Sequence, residues 1–110
     1  MDDNSHQSGS PDARAILEAT VHVPKHVVYR AFDAETVLLN LKTGQYHGLN
    51  RTGGRMLELL EETAGDVREA VGRLAAEYGE QPDAIEDGLA TFCAGLVERG
   101  LIEVDAHDGD

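Results

Sequence analysis

The sequence predicts an α+β domain of winged-helix-like order, a three-stranded antiparallel sheet followed by three helices. Three observations carry that expectation. Between Val27 and Leu49 apolar residues alternate and are interrupted by short turn sequences, and from Asn50 onward the apolar repeat switches to helical spacing. An extended run returns only at Leu101. Strands segregated from helices in this way leave each layer to bury its apolar face against the other.

The first strand is expected over Val27–Phe32, the second over Glu35–Leu41 and the third over Gln45–Leu49, with Asp33-Ala34 and Lys42-Thr43-Gly44 at the connections. Val37, Leu39 and Leu41 alternate with Leu38 and Asn40. Asn50 occupies a helix-cap position, where its side chain can accept from an orphan amide, and Gly53 is small enough to let the first turn approach the sheet. Met56, Leu57 and Leu60 share one face of the first helix, which ends before Ala64-Gly65. Asp66 and Glu69 have capping-box spacing, and Val67, Ala70, Val71, Leu74 and Tyr78 make the buried stripe of a second helix closed by a left-handed Gly79. Pro82 suits the first turn of a third helix, in which Ile85, Leu89, Phe92 and Leu96 recur at helical spacing until Gly100. Leu101–Val104 is a short extended segment on or beside the sheet.

Ahead of the first strand, Ala13–Ala19 allows a short helical turn, and Thr20–Val23 is extended because Pro24 disfavours helix in the residue before it. Residues 1–20 are expected to be a disordered or weakly structured extension, 21–104 the folded domain, and 105–110 an acidic disordered tail.

A chain of 110 residues with one domain has little room for a buried active site, so a binding module is expected before an enzyme. The single cysteine, Cys93, excludes an internal disulfide. No apolar run has the length of a membrane span or the form of a secretory signal, which gives a cytoplasmic expectation without a membrane partner. The net charge of −12 is uneven: six acids face six bases through Arg55, whereas Glu58–Glu103 holds twelve acids against Arg68, Arg73 and Arg99. That acidic half repels phosphate backbones and suits a basic or neutral partner, although solubility alone would also account for it.

Five histidines raise a metal hypothesis that their positions do not sustain. His6 and His107 lie in polar tails, His22 and His26 are separated by Pro24, and one cysteine gives no spaced ligand set, so neither metal nor cofactor is expected. Cys93 has Phe92, Ala94 and Leu96 as neighbours and reads as a small core hydrophobe. Gly53-Gly54 lacks the lysine or glycine-rich fingerprint of a phosphate loop, and no serine or carboxylate pair has a partner placed to activate it. The third strand is more informative. Gln45, Tyr46, His47, Gly48 and Leu49 form a candidate sheet edge, and Gly48 removes a side chain where another backbone could approach. Either Leu101–Val104 covers that edge, or Gly48 marks a bulge, or the edge captures a peptide as a further strand. In the last case the third helix is the groove wall, shallow at Gly88, Ala90, Cys93 and Gly95 around Leu89 and Phe92.

The run Leu38-Leu39-Asn40-Leu41-Lys42-Thr43-Gly44-Gln45-Tyr46, followed by Leu49-Asn50, Thr52-Gly53, Leu57, Leu74, Tyr78, Phe92, Leu96 and Gly100-Leu101, resembles the PqqD family over about Val23–Val104. The resemblance implies a recognition element for ribosomally made, post-translationally modified peptides, which binds a precursor's leader peptide and presents the core to modifying enzymes. It also implies a leader lying as an added strand between the third strand and the third helix. Gln45, Tyr46, His47, Gly48 and Leu49 would then pair its backbone, and Ile85, Gly88, Leu89 and Phe92 would line the wall. Partner enzymes would be a leader peptidase and cyclase, as in lasso-peptide pathways, or a radical SAM enzyme, as in quinone-cofactor (PQQ) synthesis. Two other readings come from the residues: a winged-helix nucleic-acid binder, opposed by Asp83, Glu86, Asp87 and Glu98 against Arg99 alone on the third helix, and a structural subunit docking a basic enzyme through its acidic helices.

Overall fold

Asn50 ends a strand and caps a helix, and that junction sets the arrangement of everything around it. The computed structural model describes residues 13–105. A 3-10 turn at Ala13–Glu18 leads to β1 (Val21–His22), β2 (Val27–Ala31), β3 (Glu35–Asn40) and β4 (Tyr46–Asn50). Helices α1 (Arg51–Glu62), α2 (Val67–Tyr78) and α3 (Pro82–Glu98) follow, and β5 (Glu103–Val104) closes the chain. The main sheet is antiparallel in the order β2-β3-β4, so the predicted three strands and three helices are present in sequence order. β5 pairs with β1, placing Val21 opposite Val104 in a separate two-stranded sheet.

Turn chemistry fixes the β3–β4 hairpin. The Asn40 side chain accepts hydrogen bonds from the amides of Lys42 (2.9 Å) and Thr43 (3.3 Å), and Gly44 takes the left-handed conformation at φ +76°. Asn40 can therefore be buried without an orphaned amide oxygen. Its neighbours decide which sheet face is core: Thr36, Leu38 and Asn40 are buried, whereas Val37 and Leu39 are half-buried and Leu41 is exposed. Alternation establishes that two faces exist; packing of α1 over Thr36 chooses between them. A Cβ on Gly54 would lie 2.6 Å from Thr36 Oγ1, so the close helix–sheet approach expected of Gly53 falls chiefly on Gly54.

Each helix end has an identifiable stop. Asn50 Oδ1 accepts from the Gly53 amide at 2.8 Å, and Asp66 from the Glu69 amide at 3.0 Å. Thr63 is buried with its hydroxyl donating to the Leu59 carbonyl at 2.9 Å, and Gly79 closes α2 at φ +67°. The core is built mainly by the helices, from Leu57, Leu59 and Leu60 through Val67, Val71 and Leu74 to Leu89, Cys93 and Leu96. Leu101 and Ile102 complete it from the C-terminal side, and Ile16 and Leu17 from the 3-10 turn, so packed structure starts ahead of Val21. Tyr78 departs from the buried stripe expected of it, being 49% exposed. It is the last residue of α2, where the chain turns away at Gly79 and leaves about half of the residue open to solvent.

Three arginines of the helices, Arg55, Arg68 and Arg73, are engaged by carboxylates. Arg55 meets Glu58, Glu62 and Glu77, its Nε lying 2.9 and 3.0 Å from the Glu77 carboxylate, and so joins α1 to α2. Arg68 bridges Glu18 and Glu86, and Arg73 bridges Glu69 and Glu62.

Candidate functional site

Among the described residues β4 has β3 on one side and no strand on the other. The C-terminal segment that the sequence left free to cover it is committed to β1. The register runs unbroken from Glu35 opposite Asn50 to Leu39 opposite Tyr46, so Gly48 marks no bulge. The Asn40 amide donates to the Gln45 carbonyl at 3.0 Å, which fixes the phase of the ladder. Antiparallel alternation then turns the amides and carbonyls of His47 and Leu49 toward β3 and those of Tyr46 and Gly48 toward the open edge. Gly48, one of the two outward-bonding residues, carries no side chain to hinder an approaching backbone.

Beside that edge lies a groove of about 380 Å³ between β4, the start of α1 and the middle of α3. Gly48, Leu49 and Asn50 line it from the strand, Thr52, Gly53 and Met56 from α1, and Gly88, Thr91 and Phe92 from α3. Phe92 reaches this position because Gly53 leaves room: a Cβ there would lie 3.2 Å from Phe92 Cε1 and 3.3 Å from Leu49 Cβ. Opposite, nothing lies within 4 Å of a Cβ built on Gly88, so that wall is open. Apolar walls with a few hydroxyl and amide groups at the rim suit apolar side chains carried on an extended backbone.

The sequence-predicted residues divide by helix face and strand phase. Gly48, Leu49, Gly88 and Phe92 meet in the groove. Leu89 does not; it is fully buried with Cys93 and Leu96, four and seven residues on, and belongs to the core face of α3. The groove face is the neighbouring one, Gly88 with Thr91 and Phe92. Ile85 is half-buried against the core, one turn before Gly88 and outside the lining. Gln45 precedes β4, and its amide is taken by Thr43 Oγ1 at 3.1 Å. Tyr46 shares a register position with Leu39 on the outer sheet face and is 71% exposed, whereas His47 pairs with Leu38 on the inner face and is half-buried. Asn50, Thr52, Met56 and Thr91 were not anticipated as lining residues. Thr52 and Met56, four apart on α1 beside Gly53, were legible as a common face once the α1–β4 junction was placed.

Burial pushes the Cys93 thiol up to about 12, which makes it a poor nucleophile at neutral pH. Among the described residues no three His, Cys, Asp or Glu side chains converge as metal ligands, and no helix is long and apolar enough to cross a membrane.

The family model for Coenzyme PQQ synthesis protein D (PqqD) matches residues 35–102, from the start of β3 through all three helices. The chain belongs to the PqqD family. Both walls of the groove and its open edge lie within the matched PqqD segment, whereas β1 and β2 precede it. Among solved structures, "TbiB1 in Complex with the TbiA(beta) Leader Peptide" matches this PqqD-family chain with a TM-score of 0.69 and 36% identity. That match covers 77% of this chain and 98% of the other. No curated protein matches it.

Proposed function

We propose that this chain is a noncatalytic recognition element that captures the leader peptide of a ribosomally made precursor as a fourth strand on β4 and presents the precursor to a modifying enzyme of the same pathway. The observation that carries this reading is the uncovered β4 edge alongside an apolar groove, in a PqqD-family chain whose solved neighbour is a leader-peptide complex. Tyr46 and Gly48 supply the main-chain bonds, each worth about 1 kcal/mol net. A few such bonds do not reach the roughly 8 kcal/mol of a micromolar complex, so apolar anchors in the groove, each worth about 1.5–3 kcal/mol, provide the remainder. Phe92, Leu49 and Met56 receive those anchors, and Leu89 supports the wall from beneath. The modifying enzyme is a leader peptidase, a cyclase or a radical SAM enzyme, and the acidic helices offer it a docking surface. With Arg55, Arg68 and Arg73 held by carboxylates, the helices have few cations left for a nucleic-acid backbone.

The test is an amide NMR titration with the leader peptide encoded beside the chain's own gene, followed by hydrogen exchange of the complex. The expected result is a set of shifts on β4, Gly88 and Phe92, with new exchange protection at Tyr46 and Gly48 and little change at His47 and Leu49. Protection that ignores this alternation, or shifts confined to α2, would overturn strand addition.

A further inference from the structure

The face of the main sheet opposite α1 is largely apolar, and among the described residues no element covers it. Register places Val28, Leu39 and Tyr46 in one cross-strand row and Arg30, Val37 and Gly48 in the next, with Glu35 one row further along β3. Val28 is 47% exposed, Phe32 57% and Tyr46 71%, and together with Val37 and Leu39 they border a depression of about 310 Å³. A contiguous apolar face of this kind marks a contact surface more often than isolated exposed hydrophobes do.

Its two charges indicate what covers it. Arg30 stands at the β2 side of the middle row. Glu35 reaches the β4 side of that row, its Oε2 lying 3.5 Å from a Cβ built on Gly48, so the carboxylate occupies the space that glycine leaves. Val37 stands between them. Neither Arg30 nor Glu35 forms an ion pair among the described residues, in contrast to the paired arginines of the helices. A cation and an anion on opposite sides of an apolar centre form a pattern that complements itself under a two-fold rotation.

We infer that the outer sheet face is a self-association surface whose occupant is a second copy of this chain. A two-fold axis parallel to β3 and above Val37 lays β2 over the second copy's β4. Arg30 then faces the second copy's Glu35, Val28 faces its Tyr46, and Val37 meets Val37, with the two sheets about 10 Å apart in an aligned packing. Three short strands present a face of only roughly 15 by 17 Å, well under the ~800 Å² per partner of stable complexes, so the dimer is weak and concentration-dependent. Because the rotation stacks faces and leaves strand edges in their own planes, the β4 edge stays open in both copies.

Sedimentation equilibrium of the full chain between about 10 μM and 1 mM tests this, a range bracketing the weak association expected of so small an interface. The mean mass is expected to rise from one chain toward two. Arg30→Glu or Glu35→Arg alone is expected to weaken association about tenfold by setting like charges opposite each other, and the double exchange R30E/E35R to restore it. A monomer throughout the range would overturn the inference. So would a folded double exchange, verified by its amide spectrum, that associates no better than the single variants.

Discussion

At the scale of single residues, glycines of one chain have opposite roles, separable by what a methyl group would meet. At Gly65 the backbone is left-handed at φ +84°, and a Cβ would lie 1.9 Å from the Val21 carbonyl oxygen, an atom fixed by the β1 crossing. Gly65→Ala is therefore expected to cost at least about 2 kcal/mol, read as a drop in Tm of roughly 10 °C. Gly54→Ala meets the rotatable Thr36 hydroxyl and is expected to cost less, near 1 kcal/mol. Gly72 and Gly88 sit in helix interiors with nothing within 4 Å of a Cβ, so alanine at either should stabilise by about 0.5–1 kcal/mol through helix propensity alone. Of these two, Gly88 lines the groove and Gly72 does not. Gly88→Leu is thus expected to keep or raise Tm while reducing leader affinity about tenfold or more, a split that calorimetry and a peptide titration read directly. Equal loss of stability and affinity would mean that Gly88 serves packing and not the groove.

Between elements, the α1–α2 contact carries a charge cluster with a definite pH signature. Hydrogen bonding to the Arg55 guanidinium holds the Glu77 carboxyl below its ordinary value of 4.5. A carboxyl with a depressed folded-state pKa stabilises above its unfolded value and loses that contribution as pH falls through the folded one. Glu77→Gln should therefore flatten the loss of stability below about pH 4.5, while at pH 7 it costs less than about 1 kcal/mol because the pair is partly solvated. An acid-unfolding profile unchanged by the substitution would show the pair to be energetically silent. Most of these elements were legible from sequence because their signals are local: Lys42-Thr43-Gly44 makes a turn, Asn50 and Asp66 cap helices, and Gly79 ends one; that the Asn40 side chain holds this turn was not. What sequence left open were choices between faces. Val37 and Leu39 are as apolar as Leu38, and only the approach of Gly54 to Thr36 puts Leu38 inside. In α3 the periodic residues Leu89 and Phe92 look equivalent, yet one is core and the other lines the groove, because Gly53 leaves space beside Phe92 alone. The pairing of β5 with β1 rested on contacts some eighty residues apart, which no local pattern encodes.

For the whole molecule, charge and apolar surface are separated in space, and that separation distinguishes two kinds of binding by their response to salt. The sheet half carries Lys25, Arg30, Lys42 and Arg51 against Asp33 and Glu35, while the helical half is strongly acidic with its three central arginines already paired. The proposed strand addition at Tyr46 and Gly48, with apolar anchors under Phe92, uses neutral groups, which ions screen little. The proposed docking of a basic enzyme on the acidic helices depends on charges that ions do screen. Raising salt from about 0.1 M to 1 M shortens the screening length from about 10 Å to 3 Å. Over that range the leader Kd is expected to move less than about threefold, whereas capture of the modifying enzyme weakens by about tenfold or more. The two responses are measurable on the same chain, by peptide titration and by enzyme pulldown at each salt concentration. A leader affinity that falls as steeply as the enzyme's would place the leader on the acidic helices and not in the β4–α3 groove, and a salt-independent enzyme contact would move that partner to an apolar surface.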